Sequence, residues 1–304
     1  MPTKHAILKD LRVYQSEGRP EEVFSIIIPS WNNRPYLQLC IERLLKHSHF
    51  PHQIIVHLNE AKDDSLDWLH RYPQIDYTYS PSNIGICYAL NVARRLVRTP
   101  YVCYFNDDMV ALPHWDRYLY EEVQRIGHEA FILSATMIEP FDTGNPCVLV
   151  ADYGDTLSTF KETALLDAYA QLEKTDWQGS TWPPIVLPLS LWDLVGGMSA
   201  EFSPGMYSDP DLSMKLWQAG VRLFKGIGKS RVYHFGSKST RRGKMNKGKR
   251  QFLQKWGMSS GDFTRQILRR GQPFDGPLSS ISLSPMQRLK NKTKSIWNAL
   301  GPSH

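Results

Sequence analysis

No apolar run in the 304-residue sequence approaches the ~18 residues of a bilayer-spanning helix. Cysteine is scarce: Cys40, Cys87, Cys103 and Cys147 stand apart with no CxxC pair, so a structural zinc site is not expected. Three of the four sit among apolar residues and read as buried free thiols in a reducing compartment. The opening stretch MPTKHAILKDLRVYQSEG is too polar for a signal peptide. No internal repeat is visible, and no recognised RNA- or DNA-binding motif is present. A nucleic-acid partner is therefore not expected.

What is present can build a large core: 41% of residues are hydrophobic and 12% aromatic. Charge is unevenly spread. From Lys229 onward there are 17 Lys and Arg against two acids, Asp262 and Asp275, whereas the preceding chain holds 19 bases and 28 acids. A mildly acidic body with a basic tail suggests, on charge alone, an anionic partner for the tail: a phosphorylated ligand, a membrane surface or nucleic acid.

The body alternates strand and helix signals. VFSIIIPS (Val23 to Ser30) is an unbroken, β-branched apolar run of the kind buried on both faces of a parallel sheet. Asn33 then offers an N-cap, with Pro35 near the first helical position. QIIVHL, IDYTYS, YVCYF and AFILSATM read as further strands. Helices are expected over SLDWLHRY and from Ile86 to Val97. STWPPIVLPLSLW is expected to cover a sheet edge, a helix to run from Pro210 to Ala219 with Gly220 as its stop, and SRVYHF to form a last strand. The fold class is α/β: a Rossmann-like, mostly parallel sheet flanked by helices. In such sheets ligands bind beyond the carboxyl ends of the strands, which collects Pro29 to Asn33, Asn59 and Asn106 to Asp108 on one edge.

The segment YFNDDMVALPHW poses a problem of its own. Asp107 and Asp108 are adjacent carboxylates where a buried strand should end, and they repel each other unless something compensates. A divalent cation does so, since hard cations take oxygen ligands. The plain alternatives are a surface turn or a helix N-cap.

Four segments in order bear on the choice: SIIIPSWNN; NIGICYALNVARRLVRTPYVCYFNDDMVALPHW; VGGMSAEFSPGMYSDPDLSMKLWQAG; and VYHFGSKST. Together they resemble the family-2 glycosyltransferases of the A-type nucleotide-sugar fold (GT-A), over about Val23 to Ser239. The matching residues are Asn83, Gly85, Ala89 and Asn91, then Asn106, Asp107 and Asp108, then Gly196, Gly197, Asp209 and Asp211, and finally His234.

The resemblance implies an inverting transfer of one sugar from a nucleotide-diphosphate donor to a hydroxyl of a glycan or glycolipid. It implies Mn2+ or Mg2+ held by Asp108 and His234, an imidazole among oxygens leaning towards Mn2+. Asp107 would face the ribose or the metal. Pro29, Ser30, Asn32, Asn59, Asn83, Gly85 and Asn106 would line the donor. Asp209 would be the general base, although it also reads as an N-cap before Pro210, where a helix N-terminus would lower its pKa. Asp211 and Trp192 would lie at the acceptor, Asp211 equally reading as a first-turn acid.

Some features depart from the family pattern. The second strand ends in Leu58 and Asn59 where an acidic pair is usual, so Asp63 or Asp64 must replace the base-reading carboxylate or it is missing. Ser208 stands for the usual glutamate. Arg94 or Arg95 could reach a phosphate or simply face solvent. PSWNNRPYL lacks the Gly-rich basic loop of a nucleotidyltransferase, the nearest rival reading.

The expected organisation is an N-terminal extension (1–22), a catalytic domain (23–240, with a nucleotide-binding half to about 110) and a basic loop with a C-terminal helical extension (241–304). The loop from Lys238 to Arg250 would fold over the donor diphosphate. The stripe Met286, Leu289, Ile296 and Leu300, with Arg288, Lys290, Lys292 and Lys294 about it, reads equally as an interfacial helix on anionic lipid or as one packed on the body. The expected location is the cytoplasm, with peripheral contact to the inner face of a membrane.

Overall fold

A computed structural model describes residues 10–18, 21–236, 246–279, 286, 290, 291 and 293. The elements run β1 (Arg12–Tyr14), β2 (Ser25–Trp31), α1 (Arg34–His47), β3 (Gln53–Asn59), α2 (Ser65–Leu69), β4 (Asp76–Ser80), α3 (Ile86–Ala93), β5 (Tyr101–Tyr104) and β6 (Met109–Ala111). Then follow α4 (Trp115–Ile126), β7 (Phe131–Glu139), β8 (Leu149–Val150), α5 (Glu162–Ala168), β9 (Trp177–Gln178), β10 (Ile185–Pro188), α6 (Leu189–Leu194), α7 (Ser208–Gln218), β11 (Leu223–His234) and α8 (Gly248–Trp256). A π turn over Phe263–Ile267 comes last.

One sheet runs through the molecule in the order β1-β4-β3-β2-β5-β10-β7-β11-β6. The four strands β4, β3, β2 and β5 are parallel, as their apolar runs imply. Beyond β5 the sheet is mixed, because β10 pairs antiparallel with both β5 and β7. STWPPIVLPLSLW therefore supplies an interior strand and not an edge cover. Its prolines at 183, 184 and 188 fall at the boundaries of Ile185–Pro188, so the central positions keep their ladder donors.

Period-2 alternation divides the strand residues between two cores. Ile26, Ile28, Ile54 and Val56 pack on one face with Leu37, Ile41, Leu44 and Trp115. Ile27 and Ile55 pack on the other with Leu90, Trp192 and Leu212. Each such side chain contributes about 1.5–3 kcal/mol on burial.

Phe252, Phe263, Ile267, Leu268 and Leu278 belong to this second core. The described residues from 246 thus pack with the body, and the boundary expected at 240 lies outside the described residues. All four cysteines are free and buried. Among the described residues no helix is long and apolar enough to cross a membrane. Of the lid expected over Lys238 to Arg250, residues 238–245 lie outside the described residues and Gly248 to Arg250 form the first turn of α8; the lipid-facing stripe at Leu289, Ile296 and Leu300 also lies outside the described residues.

Candidate active site

The carboxyl ends of β2, β3, β5 and β7 open into a cavity of about 660 Å³. Pro29, Ser30, Asn59, Asn83, Gly85, Asn106, Asp107, Asp108, Asp209 and His234 all line it. The chain reaches this arrangement through local constraints that can be traced one by one.

Asp107 and Asp108 occupy the reversal between β5 and β6. Both are buried, at 4% and 3% exposure. The Ser30 hydroxyl donates to Asp107 at 2.7 Å, tying the end of β2 to the acidic pair. Strand β6 follows at once and pairs antiparallel with β11, with Met109 opposite His234. Phe235 N donates to Asp108 O at 3.2 Å. This pairing brings His234 Nε2 to 3.4 Å from the Asp108 carboxylate. On the other side of the ring, Nδ1 lies 2.8 Å from Glu139 Oε1 at the end of β7. Burial alone would push the imidazole pKa down, but Asp108 and Glu139 outweigh it and raise the value to about 10. A protonated His234 ring is thus stabilised by both carboxylates.

Among the described residues no three Asp, Glu, His or Cys side chains converge as a ready metal cage. The donor set still fits a divalent ion that takes its remaining ligands from a bound diphosphate, as Mg2+ and similar ions do. Asp108 offers oxygen. His234 offers Nε2 once deprotonated, with Nδ1 fixed by Glu139 in the arrangement usual for metal-bound imidazoles.

The donor-side turn is shaped by Asn83 and Gly85. Asn83 Oδ1 accepts from Gly85 N at 2.8 Å, and Gly85 has φ +79°. A Cβ on Gly85 would lie 2.3 Å from Ser203 Oγ and 2.8 Å from Pro204 Cα. The close approach is thus to the Ser203 hydroxyl and the Pro204 backbone of this chain. Asn59 Oδ1 accepts from Ile84 N at 2.9 Å, fixing the same turn from β3. Asn91 holds Met198 through both backbone polar groups, at 2.7 and 2.8 Å. Its motif position joins α3 to the Gly196–Gly197 turn.

Asp209 departs from expectation in an informative way. Helix α7 starts at Ser208 with Tyr207, φ 70°, in the cap position, so Asp209 is a first-turn residue and not the N-cap. Its Oδ1 is sealed from solvent and has no hydrogen-bond partner among the described residues. Burial raises its pKa to about 7, opposite to the depression expected from the helix N-terminus. Desolvation outweighs the helix field here. A carboxylate so placed is a stronger base than an exposed one.

Three expected contacts do not line the cavity. Asn32, at φ 46°, donates to Glu60 at 3.0 Å and accepts from Lys62 N at 2.7 Å. Trp192 is 2% exposed in the second core, with its ring against Gly197. Asp211 is fully buried; it accepts from Ser199 Oγ at 2.5 Å and Trp256 Nε1 at 2.8 Å, and pairs with Lys255 at 2.9 Å. It anchors α8 behind α7. Asp63 accepts from Arg34 N at 2.6 Å at the start of α1, so neither it nor Asp64 lies in the cavity. Arg94 pairs with Asp193 at 2.6 Å on the surface.

Sequence reasoning missed Glu139, Trp182, Thr264, Arg265 and Arg270, which also line the cavity. Glu139 is an unremarked acid at the end of a strand. The two arginines were counted only as tail charge.

Several solved structures share the fold at low identity. S. aureus TarS 1-349 in complex with UDP-GlcNAc has a TM-score of 0.54 at 13% identity, over 91% of this chain and 72% of that one. The mannosyltransferase PcManGT from Pyrobaculum calidifontis, in complex with GDP-Man and Mn2+, gives 0.52 at 14%, over 98% and 75%. GalNAc-T7 with UDP, GalNAc and Mn2+ gives 0.56 at 11%, over 92% and 56%. No curated protein matches the sequence. Residues 25–154, which carry the Ser30, Asn83–Gly85 and Asp107–Asp108 elements of the cavity, match the family model described as Glycosyl transferase family 2, and the fold is of the GT-A type.

Proposed function

We propose that the chain is a metal-dependent, inverting glycosyltransferase. It moves one sugar from a nucleoside-diphosphate sugar to a hydroxyl of a glycan or glycolipid. The observation that carries this reading is the solvent-shielded, unpartnered Asp209 oxygen in the same cavity as the Asp107–Asp108–His234 corner. The family match over 25–154 supports the donor class.

In this reading Pro29, Ser30, Asn59 and the Asn83–Gly85 turn position the nucleotide and its diphosphate. Asp108 and His234 would hold Mn2+ or Mg2+, which would supply charge stabilisation to the leaving diphosphate. Glu139 keeps the His234 ring oriented. Asp209 accepts the proton of the acceptor hydroxyl as its oxygen bonds to the anomeric carbon from the face opposite the departing diphosphate. The bond between that carbon and the diphosphate oxygen breaks, and the configuration inverts. Exclusion of water around Asp209 keeps its basicity near neutrality.

The test is transfer from a panel of UDP, GDP and dTDP sugars, with the product anomer assigned by NMR. Metal-dependent formation of an inverted glycoside is expected. A retained anomer, or turnover unaffected by chelation of metal, would refute the mechanism. Peripheral membrane contact at the cytoplasmic face is part of the reading and rests on the basic balance after Lys229. Salt-sensitive cosedimentation with anionic vesicles checks it.

A further inference from the structure

Several arginines of the described body are held by carboxylates. Arg43 pairs with Glu162, Arg98 with Glu22 and Asp76, and Arg269 with Asp275. Arg270, next in sequence to the last of these, differs. It lines the cavity, and its Nε is sealed from solvent with no hydrogen-bond partner among the described residues. Its guanidinium lies 5.0 Å from the centroid of the Trp182 ring. Burial holds its pKa below the ordinary arginine value.

The position is built by the surrounding backbone. Arg270 N donates to Thr264 O at 2.9 Å, and Gly271 N to Gln178 O at 2.9 Å. Gly179, φ +88°, gives Arg270 its room: a Cβ there would lie 2.7 Å from Arg270 Cα. Arg269 adopts φ 52°, so the two neighbouring arginines diverge, one to Asp275 and one to the cavity. Arg265 joins the same wall, its Nε donating to Gly261 O at 3.1 Å. A half-buried cation without a counter-charge is unfavourable until an anion reaches it, and the guanidinium fork suits carboxylate and phosphate oxygens.

The acids of the cavity do not fill that role. Asp107 takes the Ser30 hydroxyl, and Asp108 and Glu139 face His234. We propose that Arg270, supported by Arg265, binds a carboxylate or phosphate carried by the acceptor, so that the acceptor is an anionic saccharide. The inference rests on the glycosyltransferase reading above. The acceptor is favoured over the donor by position. The donor elements Pro29, Asn59 and Asn83 belong to the ends of β2 to β4, whereas Arg270 stands by Trp182, which leads into β10, and is presented by the segment after α8.

The full chain, with Mn2+ present and UDP, GDP or dTDP as nucleotide probe, is titrated by NMR with glucose 6-phosphate, glucuronate and glucose. At least one acidic sugar should bind about tenfold or more tightly than glucose. Arg270→Gln should abolish that preference while nucleotide affinity stays unchanged. Arg270→Lys should retain part of it, keeping charge without the fork. Melting curves establish that each variant is folded, and the exposed Arg265→Gln, expected to weaken the preference, carries the test if Arg270→Gln is not. Equal binding of the three sugars would overturn the proposal. So would a preference that survives Arg270→Gln, or a tenfold loss of nucleotide affinity in that variant, which would assign Arg270 to the donor. If none of UDP, GDP and dTDP binds wild type while acidic sugars still do, the transferase reading fails and the anion site stands.

Discussion

His234 Nε2 lies 3.4 Å from the Asp108 carboxylate because Met109 and His234 are register partners across β6 and β11. The two adjacent acids at the end of β5 are therefore compensated by a residue far along the chain, which is itself oriented by Glu139 at 2.8 Å. Glu139→Gln leaves the ring without its charged partner. Mn2+ affinity, measured by calorimetry with UDP or GDP present, should weaken by about 10–100-fold. Unchanged affinity would show that Glu139 does not serve His234 as a metal ligand.

Asp209 is predicted to be the base. Asp209→Asn should lower turnover by about 10²–10⁴-fold with nucleotide affinity retained.

The same residue sets a pH dependence. With its pKa raised to about 7, Asp209 is ionised above that value, so the wild-type rate should climb through pH 7 and then level off. The folded form keeps a proton that the unfolded chain releases near the ordinary value of 3.8, so this group's contribution makes stability fall as pH rises from about 4 to about 7. Urea melts should accordingly find Asp209→Asn stabilised relative to wild type at pH 8, by about 1–3 kcal/mol, and not at pH 4. Equal differences at both pH values would contradict a desolvated carboxyl.

Behind the cavity, Lys255 and Trp256 of α8 hold the buried Asp211 of α7. Lys255→Met leaves that carboxylate short of its counter-charge and should destabilise the chain by about 3–5 kcal/mol in denaturant melts. Adding Asp211→Asn should restore part of the loss. A chain ending at residue 245 loses Phe252, Phe263 and Leu278 from the core and should not fold.

Trp192 packs in the core, away from the cavity. Trp192→Phe should lower stability by about 1–3 kcal/mol, as other core shape changes do, without altering the acceptor KM. A raised KM at full stability would return Trp192 to the acceptor site.

The sequence was most legible where one local rule decided the outcome. Parallel strands buried on both faces are apolar throughout, so β2 to β5 and their helices stand out, and the strand-end rule places Ser30, Asn59 and Asp107 together. Strand β10 was hidden because its prolines suggest a loop, and only its neighbours β5 and β7 make it interior. Three-residue β6 carries too little pattern to be read, yet it sets the meeting of Asp108 and His234. The helix start before Pro210 was visible, but the burial that reverses the pKa shift of Asp209 depends on residues from elsewhere in the chain. Asp211 and Trp192 are expected at the acceptor, the first by motif, and their burial against Lys255 and Gly197 is a tertiary fact with no local signal. Arg270 carried no local mark at all, since the turn that aims it into the cavity depends on Gly179.

The central claim is that the Asp108–His234 corner serves a nucleoside diphosphate sugar. Thermal denaturation with UDP, GDP and dTDP sugars, each with and without Mn2+, tests it most directly. One nucleotide class should raise the melting temperature, more so with Mn2+, and Asp108→Ala should remove the metal-dependent part. No stabilisation by any nucleotide sugar, or a metal effect that persists in Asp108→Ala, would contradict the account.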